Sequence, residues 1–257
     1  MDNPWLPRYA LLVAVSAFIL VITGALSAQG TQAFRFGLAV IGVLSLILTA
    51  AARGARPTAM LSGLLFVEGG LSLFVSAYPI AAGIAHSCVL CAILCLAASI
   101  ALLYSESWKH TSVLLDDGAS PSLRSLALFA GFSLAAQVAI GAAFRREAIS
   151  IIPHIVGAML VAAIILYLVT AVFMQCSAHP EIRKPAILLT GLVGTQVLLG
   201  IGAFLDKVGS PLLAMPPKVF SAAHIVTGSL TMATTVILAM RIHRHIRIVE
   251  TGLVVNS

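Results

Sequence analysis

Two histidines stand at matching places in the second half of the sequence, each a few residues inside the start of a long apolar run. Ile-Val-Gly follows His154, and Ile-Val-Thr-Gly follows His224. The apolar run before each of them contains Gln-Val-x-x-Gly, at Gln137 to Gly141 and at Gln196 to Gly200. An imidazole is costly to place in hydrocarbon, so a histidine inside a membrane is a candidate functional residue. Two histidines at equivalent places in a repeat indicate one shared ligand.

Iron coordination is the chemistry that such a pair could perform. Two neutral imidazoles that face each other across a helix bundle supply both axial nitrogens of a b-type haem, which typically serves electron transfer. Gly157 and Gly228 would make room for a flat macrocycle, although glycines also permit close helix packing. Arg145 and Arg146 are expected to pair with the haem propionates. The alternative is a pair of interfacial histidines that bond to backbone or water.

The first half of the sequence carries an incomplete version of this pattern. His86 is the counterpart of His224, but Phe34-Arg35 stands where a second histidine is expected. A haem here would have one protein ligand, have an unusual second ligand, or be absent, and a single histidine would leave an iron position open for oxygen chemistry. Glu68 is the only carboxylate in the middle of a predicted span. It is a proton relay, a partner of a bound group, or a protonated acid bonded to its neighbours.

Two further groups of polar residues have alternative roles. Cys88, Cys91 and Cys95 form one stripe of a helix. With His86 nearby the stripe could bind a metal, whereas packing between helices is the more frequent role of such a stripe. The basic segment Arg241–Arg247 favours contact with anionic lipid at the cytoplasmic face, with its two histidines on a solvated face.

The composition excludes a soluble domain. Of the 257 residues, 60% are hydrophobic and 9% are charged, and the mean hydropathy is +1.07. Long uncharged apolar runs indicate a polytopic membrane protein. The net charge of +6 is therefore expected in loops that set topology and does not indicate nucleic-acid binding. The cysteines lie in or at the end of apolar runs, so we expect no disulfide framework.

A helix needs about 20 apolar residues to cross a bilayer, and the sequence predicts eight such helices. They are expected at 9–27, 35–52, 59–78, 84–104, 123–144, 150–174, 185–204 and 218–240. The first run has no convincing cleavage site, so we expect a retained helix. The longest connection, Glu106 to Ser122, predicts two halves, 1–118 and 119–257.

The two halves also resemble each other in sequence and orientation. Ser-Gly-Leu-Leu with Glu68 in the third predicted helix matches Thr-Gly-Leu-Val with Gln196 in the seventh. With a cytoplasmic N-terminus, cytoplasmic segments hold about twice as many Lys and Arg as outer ones, which predicts both termini inside. His86, His154 and His224 then lie near the outer ends of their helices. We therefore expect two pseudo-symmetric four-helix bundles, related by an axis along the membrane normal.

The pattern resembles the heme A synthase family, whose members have eight helices in two such halves with histidine pairs near the outer face. The matching segments are Gln137–Arg145, Gln196–Gly200 with His224, and Glu68–Gly70 with Pro79 and His86. The sequence departs from the family at helix two, where the family's Glu-x-x-His-Arg reads Thr31-Gln-Ala-Phe-Arg35. The first outer loop is short and has no cysteine, and Ile155 follows His154 where the family often has arginine.

The resemblance implies an oxidoreductase of the bacterial cytoplasmic membrane that oxidises the heme O methyl to the formyl of heme A for cytochrome oxidase assembly. Electrons would pass through the b-type haem, His86 would hold heme O, and Glu68 would be the buried acid left for catalysis. The implied partners are the lipid bilayer, a quinol or other electron donor, and heme O synthase or oxidase subunits. Two alternatives remain: a non-catalytic b-type cytochrome subunit for electron transfer, and a haem-free assembly or transport module.

Overall fold

The computed structural model describes residues 4–26, 32–74, 77–109, 115–117, 121–209 and 219–247. Thr31 of the family motif and the predicted boundary between residues 118 and 119 lie outside these ranges. The elements that they contain are α1 (Leu6–Leu26), α2 (Gln32–Ala51), α3 (Arg56–Phe74), α4 (Ala81–Tyr104), α5 (Glu106–Lys109), β1 (Leu115–Asp116), α6 (Leu123–Arg145), α7 (Ile151–Gln175), α8 (Pro180–Lys207), α9 (Val219–His245) and β2 (Ile246–Arg247).

Eight of these helices, all except the single turn α5, are long and apolar enough to cross a membrane. Large apolar side chains point away from the bundle, among them Phe66, 85% exposed, and Met174, 80% exposed. Water would penalise such a surface, whereas lipid accepts it. The chain is therefore an all-α, multi-pass membrane protein, and the eight predicted spans are confirmed.

Two helices extend well beyond their predicted bounds. α8 begins at Pro180, five residues early, with proline at the start of the helix and Glu181 in its first turn. Proline is favoured there because the first helical N–H groups have no partner inside the helix. α9 runs five residues past the predicted end, to His245. A prediction from hydropathy ends the helix at the first polar residues, whereas the helical backbone continues outside the hydrocarbon.

The eight long helices pack as two groups of four. In the first group, α1 contacts α2 and α4, and α3 contacts α2 and α4. In the second group, α6 contacts α7 and α9, and α8 contacts α7 and α9. The groups meet where α4 contacts α9 and α6, and where α1 contacts α9. One cluster of buried apolar side chains fills each group, and fully buried Leu61 and Leu189 belong to the first and second cluster respectively.

The end of α9 packs against the connection between the two groups. The Arg241 guanidinium donates to the backbone oxygen of Ser107 at 2.9 Å and to its hydroxyl at 2.7 Å. Arg244 lies over the Trp108 ring, 4.3 Å from its centroid, and β1 pairs with β2 in parallel. Arg241 and His245 are buried. The solvated face predicted for the two histidines of this segment is thus wrong for His245, which is buried at the end of α9.

We expect Arg241→Ala to destabilise the protein by about 2 kcal/mol, because it removes two hydrogen bonds from a charged, buried group. Thermal unfolding of the detergent-solubilised protein measures the effect. Lys184→Ala is the matched control, since Lys184 is an exposed cation in the first turns of α8. Equal melting temperatures for the two variants would show that the contact does not hold the halves together.

Candidate functional site

His154 and His224, which the sequence pattern pairs, lie side by side in the structure. His154 is in the first turn of α7 and His224 in the second turn of α9. Their ring centroids are 6.1 Å apart, and the ring planes are nearly perpendicular at 83°. Both side chains are half-buried. The two helices therefore bring two imidazoles to the same end of the second group.

A glutamine and a glycine of α6 hold His154. The Gln137 amide donates from Nε2 to the His154 ring nitrogen Nδ1 at 3.0 Å and to the His154 backbone oxygen at 2.8 Å. A Cβ at Gly141 would lie 2.8 Å from Cε1 of this ring, so the ring occupies the space that a side chain would need. The Gln137 side chain occupies the corresponding space beside Gly157. Histidine and glutamine thus each pack against a glycine of the other helix.

The same arrangement recurs between α8 and α9. His224 Nδ1 donates to the backbone oxygen of Gln196 at 3.1 Å, and the Gln196 amide donates to His224 Nε2 at 3.2 Å. A Cβ at Gly200 would lie 3.1 Å from His224 Cε1, and one at Gly228 would lie 3.0 Å from the Gln196 amide nitrogen. In both helix pairs, the glutamine and the glycine of the Gln-x-x-x-Gly segment therefore form the site in which the histidine ring packs, which we call the histidine socket. Gly157 and Gly228, expected to face a macrocycle, receive glutamine side chains.

These bonds fix where the protons of the imidazoles lie. A backbone oxygen can only accept, so His224 carries its proton on Nδ1 and has a lone pair on Nε2. Metal-binding histidines have this tautomer, with the second nitrogen bonded to a carbonyl or carboxylate. His154 Nδ1 accepts instead, which leaves its proton on Nε2. Gln137 Oε1 is buried and has no hydrogen-bond partner among the described residues, so a Gln137 amide turned over by 180° would accept a hydrogen bond from Nδ1–H in the other tautomer.

Aromatic and cationic side chains flank His154 at the ends of α6 and α8. Phe144 stacks on the His154 ring, with centroids 6.1 Å apart and planes 11° apart. Lys207 places its Nζ 4.3 Å from the centre of the Phe144 ring. The sequence interpretation missed both residues, because nothing in their spacing shows that α6 and α8 end at the same place.

Arg145 and Arg146 reach across to α4 in the first group of helices. Arg145 donates from Nη2 to the Ser87 hydroxyl at 2.8 Å. The Arg146 guanidinium lies against Gly83, where a Cβ would be 2.5 Å from its central carbon. Burial lowers the pKa of Arg146, but a guanidinium stays charged at neutral pH. The two predicted propionate partners thus lie between the halves.

The counterpart in the first group has one histidine and one phenylalanine. Phe34 and His86 meet edge to face, with ring centroids 5.3 Å apart. The Glu68 carboxyl group lies against Nδ1 of His86, and both residues are buried, at 0% and 1% exposed. Nε2 of His86 has no hydrogen-bond partner in the described part of the chain. Glu68 and His86, which the sequence treated separately, thus form one buried pair.

The cysteine stripe of α4 packs between helices. Cys91 and Cys95 are buried, Cys88 is half-buried, and all are free thiols. Within the described residues, no three His, Cys, Asp or Glu side chains are grouped so that they could hold a metal ion. The absence of such a group weighs against a metal site at the cysteines. It does not weigh against a haem at the histidine pair, because a haem needs only two protein ligands.

Comparison with known proteins gives no family for this chain. No family model matches it, and no curated protein matches it at a significant level. The resemblance to heme A synthases therefore stays a proposal, and the argument for function depends on the geometry of the histidine pair.

We expect Gly141→Ala to destabilise the protein by about 1–3 kcal/mol, the usual cost of overpacking, because the new methyl group collides with the His154 ring. Gly191→Ala is the control, since a Cβ there meets nothing within 4 Å. That change should be neutral or stabilising, as alanine favours the helix by up to about 1 kcal/mol over glycine. Thermal unfolding compares the two variants, and an equally stable Gly141→Ala protein would disprove the socket.

Proposed function

We propose that the chain is a membrane haem protein that holds one b-type haem between His154 and His224 and serves electron transfer. The observation that carries the proposal is the 6.1 Å separation of the two ring centroids. A metal–imidazole bond is about 2 Å long, so two rings at this separation are close enough that one nitrogen of each would hold the same iron. When bound, the haem would supply one-electron redox chemistry.

The surrounding residues orient the two ligands. The Gln196 backbone oxygen holds the Nδ1 proton of His224, which leaves Nε2 to the iron once the Gln196 amide moves aside. His154 would need its proton on Nδ1, and the unpartnered oxygen of Gln137 is the available acceptor. Phe144 on the His154 ring limits the access of water from one face. Lys207, above Phe144, is a cation that would pair with a propionate on this side.

The helix contacts support a pseudo-symmetric pair of bundles. The helices of the two groups correspond in chain order: α1 to α6, α2 to α7, α3 to α8 and α4 to α9. Under this correspondence the contact between α4 and α6 is equivalent to the contact between α9 and α1, and both are present. By the same correspondence His86 matches His224, and Phe34 matches His154. The first half would then have a single imidazole and no partner for it, which favours one haem per chain.

The charge bias of the loops supports an orientation with both termini on the cytoplasmic side, and the resemblance to heme A synthases would place the protein in the bacterial cytoplasmic membrane. In that orientation the histidine pair lies near the outer face of the membrane. An electron donor or acceptor would then approach from the bilayer or from the outer side.

A second candidate function is the oxidation of heme O to heme A, as in heme A synthases. The observation that favours it is the contact between Glu68 and Nδ1 of His86, which keeps one buried imidazole next to an acid. Phe34 weighs against it, because this ring has no atom that could bind iron and occupies the place opposite His86. A third candidate, a haem-free assembly or transport module, would use the same histidines only for packing.

We expect the purified protein to give a b-type reduced-minus-oxidised spectrum at about one haem per chain. His154→Ala and His224→Ala should each abolish it, because each removes an axial ligand. His86→Ala and His179→Ala, the latter at the opposite end of α7, should retain it. A spectrum that survives both His154→Ala and His224→Ala would refute the proposed site and place the haem elsewhere. No haem at all would also refute the site and leave the haem-free module.

Co-expression with a source of heme O separates the first two candidates. Chromatography of the extracted haems should show no heme A, because the first half offers only one imidazole. If heme A forms in the unchanged protein and is absent in Glu68→Gln and in His86→Ala, the proposed electron-transfer function would be replaced by catalysis. Glu106→Gln, a change at an exposed carboxylate outside the spans, serves as the control.

A further inference from the structure

A small cavity of about 30 Å³ lies where the two groups of helices meet, between α1, α4, α6 and α9. Most of its wall is apolar, and the polar side chains in it are His86, Ser87, Arg145 and Ser229. Among the described residues, no carboxylate belongs to this wall. The space is large enough for one or two water molecules or a small ion, and it is too small for an organic molecule.

Arg145 places a positive charge at this wall, and its partner there is a neutral hydroxyl. The hydrogen bond from Nη2 to the Ser87 hydroxyl, at 2.8 Å, is the polar contact that the described residues give this guanidinium. A guanidinium has five N–H donors, so most of them remain for a ligand. A charge that is removed from water without a counter-charge is unfavourable. A bound anion would offset that cost.

The surroundings of the cavity add to the positive potential. The Arg146 guanidinium packs against Gly83, one helical turn before Ser87, so two guanidinium groups lie along one side of α4. The cavity lies beside the second turns of α4 and α9, and the start of a helix carries a partial positive charge. Glu68 contacts His86 but is not part of the cavity wall. The potential in the cavity therefore favours an anion over a neutral water molecule.

The two hydroxyl groups of the wall can donate to such an anion. Ser87 and Ser229 donate to the backbone oxygens of Gly83 and Ile225, each one turn earlier in the same helix. A helical backbone oxygen also accepts from the N–H four residues on, so each of these oxygens keeps a partner when the hydroxyl turns away. The wall therefore offers hydrogen-bond donors to a ligand that only accepts.

We propose that this cavity binds one halide ion, which is chloride under physiological conditions. The ion accepts hydrogen bonds from Arg145, Ser87 and Ser229, and so joins α6, α4 and α9. Chloride carries one negative charge in a volume close to that of a water molecule, which matches both the charge of the wall and its size. The inference is independent of the haem, because none of these three side chains is a proposed ligand of the iron. The bound ion would stabilise the contact between the two groups of helices.

Thermal unfolding of the detergent-solubilised full chain, in sodium chloride or in sodium gluconate at equal ionic strength, tests the proposal. We expect the melting temperature to rise saturably with chloride and not with gluconate, because gluconate is too large for the cavity. Arg145→Gln should raise the chloride concentration at half-effect by about tenfold or more, the loss expected for a hydrogen bond to a charged group. Arg35→Gln is the matched control and should respond like the unchanged protein, since Arg35 is an exposed arginine near the start of α2, at the same end of the bundle.

Diffraction from crystals grown in bromide locates the ion, because bromide scatters anomalously. We expect one anomalous peak within hydrogen-bond distance of the Arg145 guanidinium in the unchanged protein. Water alone in the cavity of such crystals, equal stabilisation by chloride and gluconate, or an unchanged chloride response in a folded Arg145→Gln protein would each overturn the proposal. The diffraction result needs only the unchanged protein, so it decides the matter even if Arg145→Gln does not fold. The double variant His154→Ala/His224→Ala should keep the chloride response, so the failure of the haem site and that of the halide site are distinguishable.

Discussion

The close approach of an imidazole to a glycine backbone is the contact on which the second half of the structure depends. His154 rests on Gly141 at a distance that a Cβ would not tolerate, and His224 rests on Gly200 at a distance that a Cβ would make tight. Each histidine is then tied to the preceding helix by a glutamine one turn before that glycine. A polar ring inside a membrane needs both a place and a hydrogen-bond partner. The Gln-x-x-x-Gly pattern provides both and so determines which end of the bundle the two rings share.

The first group of helices places a phenylalanine beside its buried histidine. Phe34 packs against His86 at nearly the distance that separates the two histidines of the second half. The phenyl ring keeps the packing but supplies no ligand atom. Glu68 then takes one nitrogen of His86 and leaves the other toward the space between the halves. The described part of the first half thus places one imidazole beside a phenyl ring, where the second half places two imidazoles side by side.

Much of this could be predicted from sequence, for identifiable reasons. The eight spans follow from hydropathy, and the partnership of His154 with His224 follows from a repeat, because equivalent positions in repeated helices reach equivalent depths. The ends of α8 and α9 did not follow, since polar residues extend a helix without extending its apolar run. The directions of Arg145 and Arg146 depend on how the halves meet, and no local pattern encodes that. The partners of Glu68 and Lys207 come from other helices and were missed for the same reason.

The electron paramagnetic resonance spectrum of the oxidised protein tests the central claim most directly. Two imidazole ligands make ferric haem low-spin, and nearly perpendicular ring planes, 83° apart here, make its signal strongly anisotropic. We expect that signal at about one spin per chain. A high-spin signal, which would show an iron with an axial position not held by a histidine, or the absence of any haem signal from the folded protein, would contradict the assignment of His154 and His224 as a ligand pair.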